Sequence, residues 1–314
     1  MRILVHGAGA VGGTLASGLA DAGHQVTAIA RGAHAAAIAA SGLVVVSPTG
    51  RRSYALPVAR RAADTDAAAC DAVLLCVKSQ DTAGALDDLH RAGYGSVPLV
   101  CAQNGVTNER AAAERFEHVY GMMVWTPAAH LEPGVVTVHA SEPAAILRLG
   151  RFPAGVDDLA RELASALRAG GCDARAVADI DAWKHRKLLL NLGNALDAFC
   201  LPVARDHPFR RRLEREGEAV LEAAGLPVLP AEELQRETSS MRMVRVAGKK
   251  RAGGSTWQSA ARGLDNEVEY LNGYVSRLGA RLGLATPAND ALVELARSRP
   301  RPRSVDVESL LPAS

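Results

Sequence analysis

The chain has 314 residues and a formal net charge of +2, from 36 lysines and arginines against 34 aspartates and glutamates. This balance excludes a broad basic field, so we expect neither nucleic acid nor an acidic membrane surface as a partner. A hydrophobic content of 48% over this length predicts two domains, each with its own core.

The cysteines are widely spaced and odd in number, which favours buried thiols of a reducing compartment over disulfides or a metal site. They are Cys70, Cys76, Cys101, Cys172 and Cys200. The chain enters an apolar strand pattern at Arg2, and no later run reaches membrane-spanning length. We therefore expect no signal segment, no membrane contact and a cytoplasmic location, with a homodimer as one candidate assembly.

The first predicted strand, Ile3–Val5, leads directly into the segment Gly7-Ala8-Gly9-Ala10-Val11-Gly12, and a helical pattern continues to Ala22. In this order of strand, turn and helix, Gly7 permits the turn and Gly9 lets a pyrophosphate approach the helix N-terminus. Gly12 lets the helix pack closely on the strand. The context predicts a dinucleotide-binding loop, and the alternative is a glycine-rich turn that binds nothing.

The residue after the second predicted strand, Gln25–Ala30, indicates which dinucleotide is bound. A site for NAD or FAD normally has an acidic residue here to hold the ribose 2′-hydroxyl, but this chain has Arg31. A guanidinium suits the 2′-phosphate of NADP, and no acid follows closely at the strand end to repel that phosphate. We therefore predict NADP (as NADPH), with a solvated surface arginine as the alternative.

Short apolar runs alternate with helical patterns through the first half of the chain, which predicts a parallel, doubly wound sheet with its ligand crevice at the carboxyl ends of the strands. The next runs, Val135–Val138 and Ala145–Leu149, leave no room for a helix between them and predict an antiparallel hairpin. A helix from about Val156 to Ala169 and a strand near Ala174–Val177 follow. The earlier runs are Leu43–Val46, Ala72–Val77, Val97–Cys101 and Val119–Val124.

From Asp179 onward only helical patterns are convincing, so the predicted class is α/β. A Rossmann-like domain over residues 1–178 is followed by an all-helical domain over 179–314. Apolar residues from Leu264 to Leu282 recur every three or four positions and predict one long packing helix. The basic segment Arg242–Gly254, which includes Lys249 and Lys250, is either a solvated loop or a lid over an anionic ligand. We expect Arg297–Arg303 to be a frayed tail without a function.

Three polar side chains interrupt the apolar helix that follows the predicted boundary. Lys187, Asn191 and Asn194 stand at i, i+4 and i+7, so one continuous helix would present them on a single face. An ammonium and two amides are costly to bury unless they pair or line a wet cleft. The pattern favours a cleft facing a nicotinamide. The alternative is a snorkelling lysine with asparagines bonded to a neighbouring backbone.

Two further candidates lie at the carboxyl ends of predicted strands. Asn104-Gly105 follows the strand Val97–Cys101 and is either an ordinary turn or a polar group beside the nicotinamide. Lys78 ends another apolar run at the same rim, where it either assists Arg31 with the adenosine phosphate or is a surface lysine.

Together these residues resemble the ketopantoate reductase family, whose members are NADP-dependent 2-dehydropantoate 2-reductases. The resemblance implies that Lys187 is the proton donor and that Asn104 and Asn191 help hold substrate and nicotinamide. It also implies that Ser255 contacts the substrate and that Glu267, which on pattern alone is a surface carboxylate, lies beside the active site. The matching blocks are Gly7 to Gly12, Arg31, Cys76-Val77-Lys78-Ser79-Gln80, Gln103-Asn104-Gly105, Trp183 to Asn191, Ser255 to Glu267 and Glu269-Tyr270-Leu271-Asn272-Gly273.

Three departures from the family pattern leave the reaction type intact but open the identity of the substrate. Asn194 falls seven residues after Lys187 where the family usually has eight, which is about 100° around a helix axis. Ser259 replaces the acid that often ends the family's Ser-Met-Leu-Gln-Asp block. The basic segment before Ser255 is also longer than expected.

The hypothesis is therefore hydride transfer from NADPH to the keto carbon of a 2-oxo acid, with Lys187 donating the proton. Glu267 is expected to hold or tune Lys187, and Asn104, Asn191, Asn194, Ser255 and Ser259 are expected to orient the substrate. No His, Cys or carboxylate cluster has metal-ligand spacing, so no metal is expected. The alternatives are a related dehydrogenase for a different keto or imino acid, and a non-catalytic NADPH-binding regulator.

Overall fold

The computed structural model describes residues 1–247 and 251–310, so Lys249 and Lys250 of the basic segment lie outside the described residues. In chain order the helices and strands are β1 Arg2–His6, α1 Ala10–Asp21, β2 Gln25–Ile29, α2 Gly32–Ser41, β3 Leu43–Ser47, β4 Gly50–Tyr54, β5 Val58–Ala59, β6 Ala72–Leu75, α3 Thr82–Arg91, β7 Leu99–Cys101, α4 Asn108–Ala113, β8 Val119–Trp125, β9 Ala128–Ala129, β10 Val135–Val138, β11 Ile146–Arg151, α5 Asp158–Ala169, β12 Asp173–Ala176, α6 Ile180–Asn191, α7 Asn194–Phe199, α8 Pro208–Ala223, α9 Ala231–Thr238, α10 Ser255–Ala261, α11 Asn272–Leu282 and α12 Pro287–Arg297.

An eight-stranded sheet forms the first part of the chain, in the order β12-β11-β8-β7-β6-β1-β2-β5. In this order, the neighbouring strands β8, β7, β6, β1, β2 and β5 all run parallel to one another. β11 pairs antiparallel with β8. The carboxyl ends of β1, β2, β6 and β7 therefore meet at one edge. The predicted α/β class with a helical C-terminal part is confirmed.

The central strands read as continuous apolar runs because both faces of the sheet are covered. Val5 of β1 belongs to the same core as Leu15 of α1 on one face. Its neighbour Leu4 points to the opposite face and shares a second core with Leu86 of α3. Helices on both faces leave the carboxyl edge of the strands as the open side of the sheet.

The antiparallel hairpin expected between Val135 and Leu149 is wrong. β10 belongs to a separate four-stranded sheet of order β4-β3-β10-β9, where it pairs parallel with β3 and antiparallel with β9. β11 lies in the large sheet between β8 and β12. The two runs are adjacent in sequence, but each pairs with strands from other segments, and such partners are not encoded in local spacing.

After α6 begins at Ile180, the described residues form helices and turns, with two isolated bridges, Ala140 to Met243 and Cys200 to Val305. The long helix expected over the Leu264–Leu282 stripe is wrong. Leu264 is exposed, a short 3₁₀ turn occupies Val268–Tyr270, and α11 begins only at Asn272. The backbone of Leu271 leaves helical geometry between the two, so the apolar spacing continued across a break.

The C-terminal stretch is held against the helical part instead of fraying as expected. The amide of Arg303 donates to the Ala198 carbonyl at 3.0 Å, and the amide of Ser304 donates to Phe199 at 2.9 Å. The Arg303 side chain donates to the carbonyl of Ala252 at 3.0 Å. The tail therefore braces the segment that precedes α10.

All five cysteines are free thiols, three of them buried. Burial raises the pKa of Cys76 to about 12 and that of Cys200 to about 11. Within residues 1–247 and 251–310, the structure contains no helix with both the length and the apolar character needed to cross a membrane.

Two glycines of the first loop give a matched test of helix packing. A Cβ atom at Gly12 would lie 2.0 Å from the carbonyl oxygen of Gly7, whereas one at Gly9 would meet nothing within 4 Å. Gly12→Ala forces α1 away from β1 and should lower the free energy of unfolding by about 3 kcal/mol. Gly9→Ala changes only the helix cap and should cost at most about 1 kcal/mol. Urea unfolding of both variants measures this, and equal losses would contradict the packing assignment.

Candidate active site

The glycine loop lies at the carboxyl end of β1 and is shaped as the sequence predicts. Gly7 has φ +102°, and a Cβ there would lie 2.9 Å from the Val77 amide nitrogen. Gly9 borders open space at the N-terminus of α1, whose first-turn amides lack partners further back in the helix. The loop can therefore accept an anionic group, which fits a pyrophosphate.

His34 fixes this loop, and sequence reasoning missed it. Its Nδ1 accepts a hydrogen bond from the Gly134 amide at 2.8 Å, so its Nε2 carries the proton and donates to the Ala8 carbonyl at 2.8 Å. Burial lowers the pKa of His34, which favours the neutral ring that this pair of bonds requires. No local pattern marks this histidine, because its two partners lie 26 residues before it and 100 residues after it.

Arg31 immediately precedes α2 at the same rim, as predicted, and no acid follows it closely in sequence, but a distant segment brings an acid to it. Its guanidinium lies 3.0 Å from the carboxylate of Asp81, which comes from the turn before α3. Both side chains are well exposed, so the pair contributes about 1 kcal/mol or less. Because this ion pair is weak, a phosphate bound at this position could replace Asp81 as the partner of Arg31 at little cost.

Lys78 and Glu267 form a contact between the two parts of the chain, and this contact corrects the expectation that Glu267 holds Lys187. The Lys78 ammonium lies 2.9 Å from Glu267, whose other carboxylate oxygen accepts from the Ser79 hydroxyl at 3.0 Å. Glu267 is only 4% exposed. Among the described residues neither a hydrogen bond nor an ion pair joins Glu267 to Lys187, so it does not hold Lys187 directly.

Asn104 and Asn191 are brought together as predicted. The Asn191 side-chain amide donates to the Asn104 side-chain oxygen at 3.1 Å, which links the turn after β7 to α6. Gly105 follows with φ +80°, a conformation that turns the chain beneath the asparagine. The Asn108 side chain donates to the Asn104 carbonyl at 3.1 Å and holds that turn.

A buried ion pair beneath Asn104 was also missed. Lys184 and Glu109 form an ion pair, and their side chains are only 3% and 1% exposed. The Lys184 ammonium also donates to the Gln103 carbonyl at 3.1 Å. The negative charge of Glu109 adds to burial in raising the pKa of Asp181 to about 6. Removing one member of a buried pair costs about 3–5 kcal/mol, so this pair anchors the turn that carries Asn104.

Lys187 is half-buried on α6, one turn before Asn191. Its ammonium lies 3.8 Å from the ring centre of Trp125, at the end of β8, and has no carboxylate partner among the described residues. Burial first, and then the positive charge of Arg251, lower its pKa from 10.5 to about 7. A group with this pKa can donate and regain a proton near neutral pH.

Asn194 does not continue the face of Lys187 and Asn191. Helix α6 ends at Asn191, and Asn194 begins the separate helix α7. The Leu192 carbonyl, freed at this break, accepts from the side chain of the buried Asn272 at 3.1 Å. A Cβ atom at Gly254 would lie 3.9 Å from the side-chain oxygen of Asn194, so this amide faces the start of α10 instead.

Ser255 and Ser259 lie one turn apart on the same face of α10, with Ser259 buried. The neighbouring Gln258 spans to the small sheet, where its side chain donates to the Ala128 carbonyl at 3.3 Å. α10 therefore links the helical part to the sheet part beside Asn194. No cluster of three or more potential metal-binding His, Cys, Asp or Glu side chains occurs in the described residues.

Comparison with known proteins gives consistent matches along the chain. Residues 3–152 match the family described as "Ketopantoate reductase PanE/ApbA", and residues 179–299 match its C-terminal family. A 2-dehydropantoate 2-reductase of Halobacterium salinarum is 32% identical over 313 residues, covering 95% of this chain and 98% of that protein.

Two solved structures share the fold over nearly the whole chain. A PanE/ApbA family ketopantoate reductase from Ralstonia eutropha has a TM-score of 0.79 at 28% identity and covers 95% of this chain and 98% of its own. A D-mandelate dehydrogenase has a TM-score of 0.81 at 22% identity, with coverage of 95% and 98%, and at that identity shows the fold alone.

Proposed function

Because this chain belongs to the ketopantoate reductase family, we propose that it is an NADPH-dependent oxidoreductase that reduces the keto carbon of a 2-oxo acid, with ketopantoate as the first substrate to test. The observation that carries the proposal is Lys187, an ammonium with a pKa of about 7 and no carboxylate partner among the described residues, one turn from the Asn104–Asn191 pair. Such a group can protonate a forming alkoxide at neutral pH.

The residues around the glycine loop fit a dinucleotide. Gly9 leaves the space that a pyrophosphate needs, and the His34 bond to the Ala8 carbonyl holds the loop in shape. Arg31 offers a guanidinium to a 2′-phosphate, which supports NADP over NAD. When bound, NADPH supplies the hydride from C4 of its nicotinamide.

The chain's own residues position the carbonyl and supply the proton. Asn104 and Asn191 orient the substrate, and Lys187 transfers a proton from its Nζ to the carbonyl oxygen as the keto carbon is reduced. Asn194 and Ser255 border the other side of the site. In this proposal Glu267 acts as a positioning residue through Lys78 and Ser79, and the site lies between a cofactor domain of residues 1–178 and a helical domain from 179 onward.

The alternative is a related dehydrogenase that acts on a different keto acid. The observation that favours this alternative is Ser259. A serine offers a weaker acceptor for a substrate hydroxyl than the acid often found there in the family. A non-catalytic regulator would have no use for an ammonium that lies beside two amides and lacks a carboxylate partner among the described residues. We also propose a cytoplasmic location, where the thiols stay reduced, and a homodimer as the assembly to test by gel filtration.

Lys187→Ala should lower kcat for NADPH-dependent reduction of ketopantoate by a factor of roughly 10² or more, while NADPH binding followed by fluorescence stays nearly unchanged. For the unaltered protein, kcat/KM should be constant below about pH 6 and fall as the pH rises through about 7, because only the protonated amine can donate. An intact turnover in the variant would assign the proton to another group.

Arg31→Ala should raise the KM for NADPH by roughly tenfold to a hundredfold and leave the KM for NADH nearly unchanged, since a charged hydrogen bond is lost only with the phosphate. Asp81→Asn is the matched control, because it frees Arg31 from its partner and should leave the KM for NADPH equal or lower. Equal losses for both cofactors in Arg31→Ala would contradict the assignment.

Ser259→Asp should increase the preference for ketopantoate over 2-oxoisovalerate, which lacks the 4-hydroxyl, by restoring an acceptor for that group. Ser259→Ala is the control and should leave the preference close to that of the unaltered protein. The measurement is kcat/KM for both acids with all three proteins. If the preference is already strong and does not respond to Asp, other groups recognise the hydroxyl.

A further inference from the structure

Arg251 is a half-buried cation in the segment before α10 to which no role has been assigned. Its Nε atom is buried and has no hydrogen-bond partner, and its guanidinium forms no ion pair within the part of the chain that the structure describes. It borders a cavity of about 430 Å³ together with Gly253, Gly254 and Arg303. The one acid of that cavity, Asp197, is already paired with Arg210.

Arg251 lies near enough to Lys187 for their charges to interact. Its positive charge adds to burial in lowering the pKa of Lys187 and that of His139, and burial lowers the pKa of Arg251 itself. Neither Lys187 nor Arg251 has a carboxylate within ion-pair distance among the described residues. Two partly buried cations that repel each other are stabilised by an anion bound between them.

The backbone that presents Arg251 is held in place on its C-terminal side. Gly253 packs against Trp257 so closely that a Cβ there would lie 2.6 Å from the indole Cγ. Arg303 of the C-terminal stretch donates to the Ala252 carbonyl at 3.0 Å, and its guanidinium stands 5.5 Å from the Trp257 ring centre. Gly254 then leads into Ser255, beside the side-chain oxygen of Asn194.

From this arrangement we infer that Arg251 binds the carboxylate of the substrate beside Lys187, and so selects 2-oxo acids over neutral ketones. The planar guanidinium can bind both oxygens of a carboxylate, and this anion supplies the partner that the buried Nε lacks. The inference rests on the proposed function, because it takes Lys187 as the proton donor at the adjacent carbonyl. It also gives Arg251 the ligand-facing role that the composition of the basic segment left open.

The test compares Arg251→Met, Arg251→Lys and the control Arg245→Met, which removes an exposed arginine of the same segment. In Arg251→Met the KM for 2-oxoisovalerate should rise roughly tenfold to a hundredfold, since a charged hydrogen bond to the carboxylate is lost. The KM for the neutral methyl ester of the same acid should change less than about threefold. Arg251→Lys should recover part of the affinity for the acid, and Arg245→Met should match the unaltered protein.

Two further readouts separate recognition from a structural role. In Arg251→Met, the fall of kcat/KM with rising pH should occur at higher pH, because the charge that disfavours the protonated form of Lys187 is gone. The midpoint of urea unfolding should stay close to that of the unaltered protein. Equal effects on acid and ester, or an unchanged pH dependence with an unchanged KM for the acid, would overturn the inference.

A binding measurement keeps this inference distinct from the proposed function. The NADP-loaded proteins are titrated with 2-hydroxyisovalerate in a calorimeter, which requires no turnover. Weaker binding to Arg251→Met than to Arg245→Met supports the inference even if the unaltered protein reduces none of the tested acids, a result that would contradict only the proposed function. Equal binding to both variants overturns the inference.

Discussion

The hydrogen bond between Asn191 and Asn104 joins the sheet part to the helical part at the carboxyl edge of the sheet. The turn after β7 that carries Asn104 is held from beneath by Lys184, which pairs with the buried Glu109 and donates to the Gln103 carbonyl, and by Asn108, which donates to the Asn104 carbonyl. Lys184 and Asn191 both lie on α6, so one helix both supports the turn and bonds its tip. The half-buried Lys187 lies between them on that helix, and its position relative to Asn104 follows from this anchoring.

The charges around the site are divided into two groups with different consequences. Lys78 is neutralised by Glu267, and that pair closes the contact between the two parts of the chain. Neither Lys187 nor Arg251 has an acidic partner among the described residues, and burial first, then the positive charge of Arg251, lower the pKa of Lys187 to about 7. A carboxylate beside Lys187 would raise that pKa and make the amine a weaker acid. Glu267 pairs with Lys78 instead, and no carboxylate among the described residues pairs with Lys187.

Much of the architecture could be predicted from the chain because it depends on neighbours in sequence. The glycine loop between a strand and a helix, the alternation of strands and helices, and the one-turn spacing of Lys187 and Asn191 are all local patterns. The place of Asn104 could be predicted as well, because parallel strands end at one edge of the sheet. The resemblance to the ketopantoate reductase family, drawn from such blocks, is confirmed by the matches over both parts of the chain.

Contacts between distant segments were decided only by the tertiary structure. Asp81 reaches Arg31 across 50 residues, Glu267 reaches Lys78 across 189, and no spacing rule connects such pairs. Periodicity also continued through breaks that packing imposes, at Leu192 before Asn194 and at Leu271 before α11. A helical pattern shows only which side chains are apolar. Where a helix ends depends on which groups hydrogen-bond to the carbonyls freed at its end, and the Asn272 side chain does this for the Leu192 carbonyl. Local sequence thus determined most of the strands and helices and the polar residues they carry, whereas long-range packing decided which strands pair, where helices break and which charges meet.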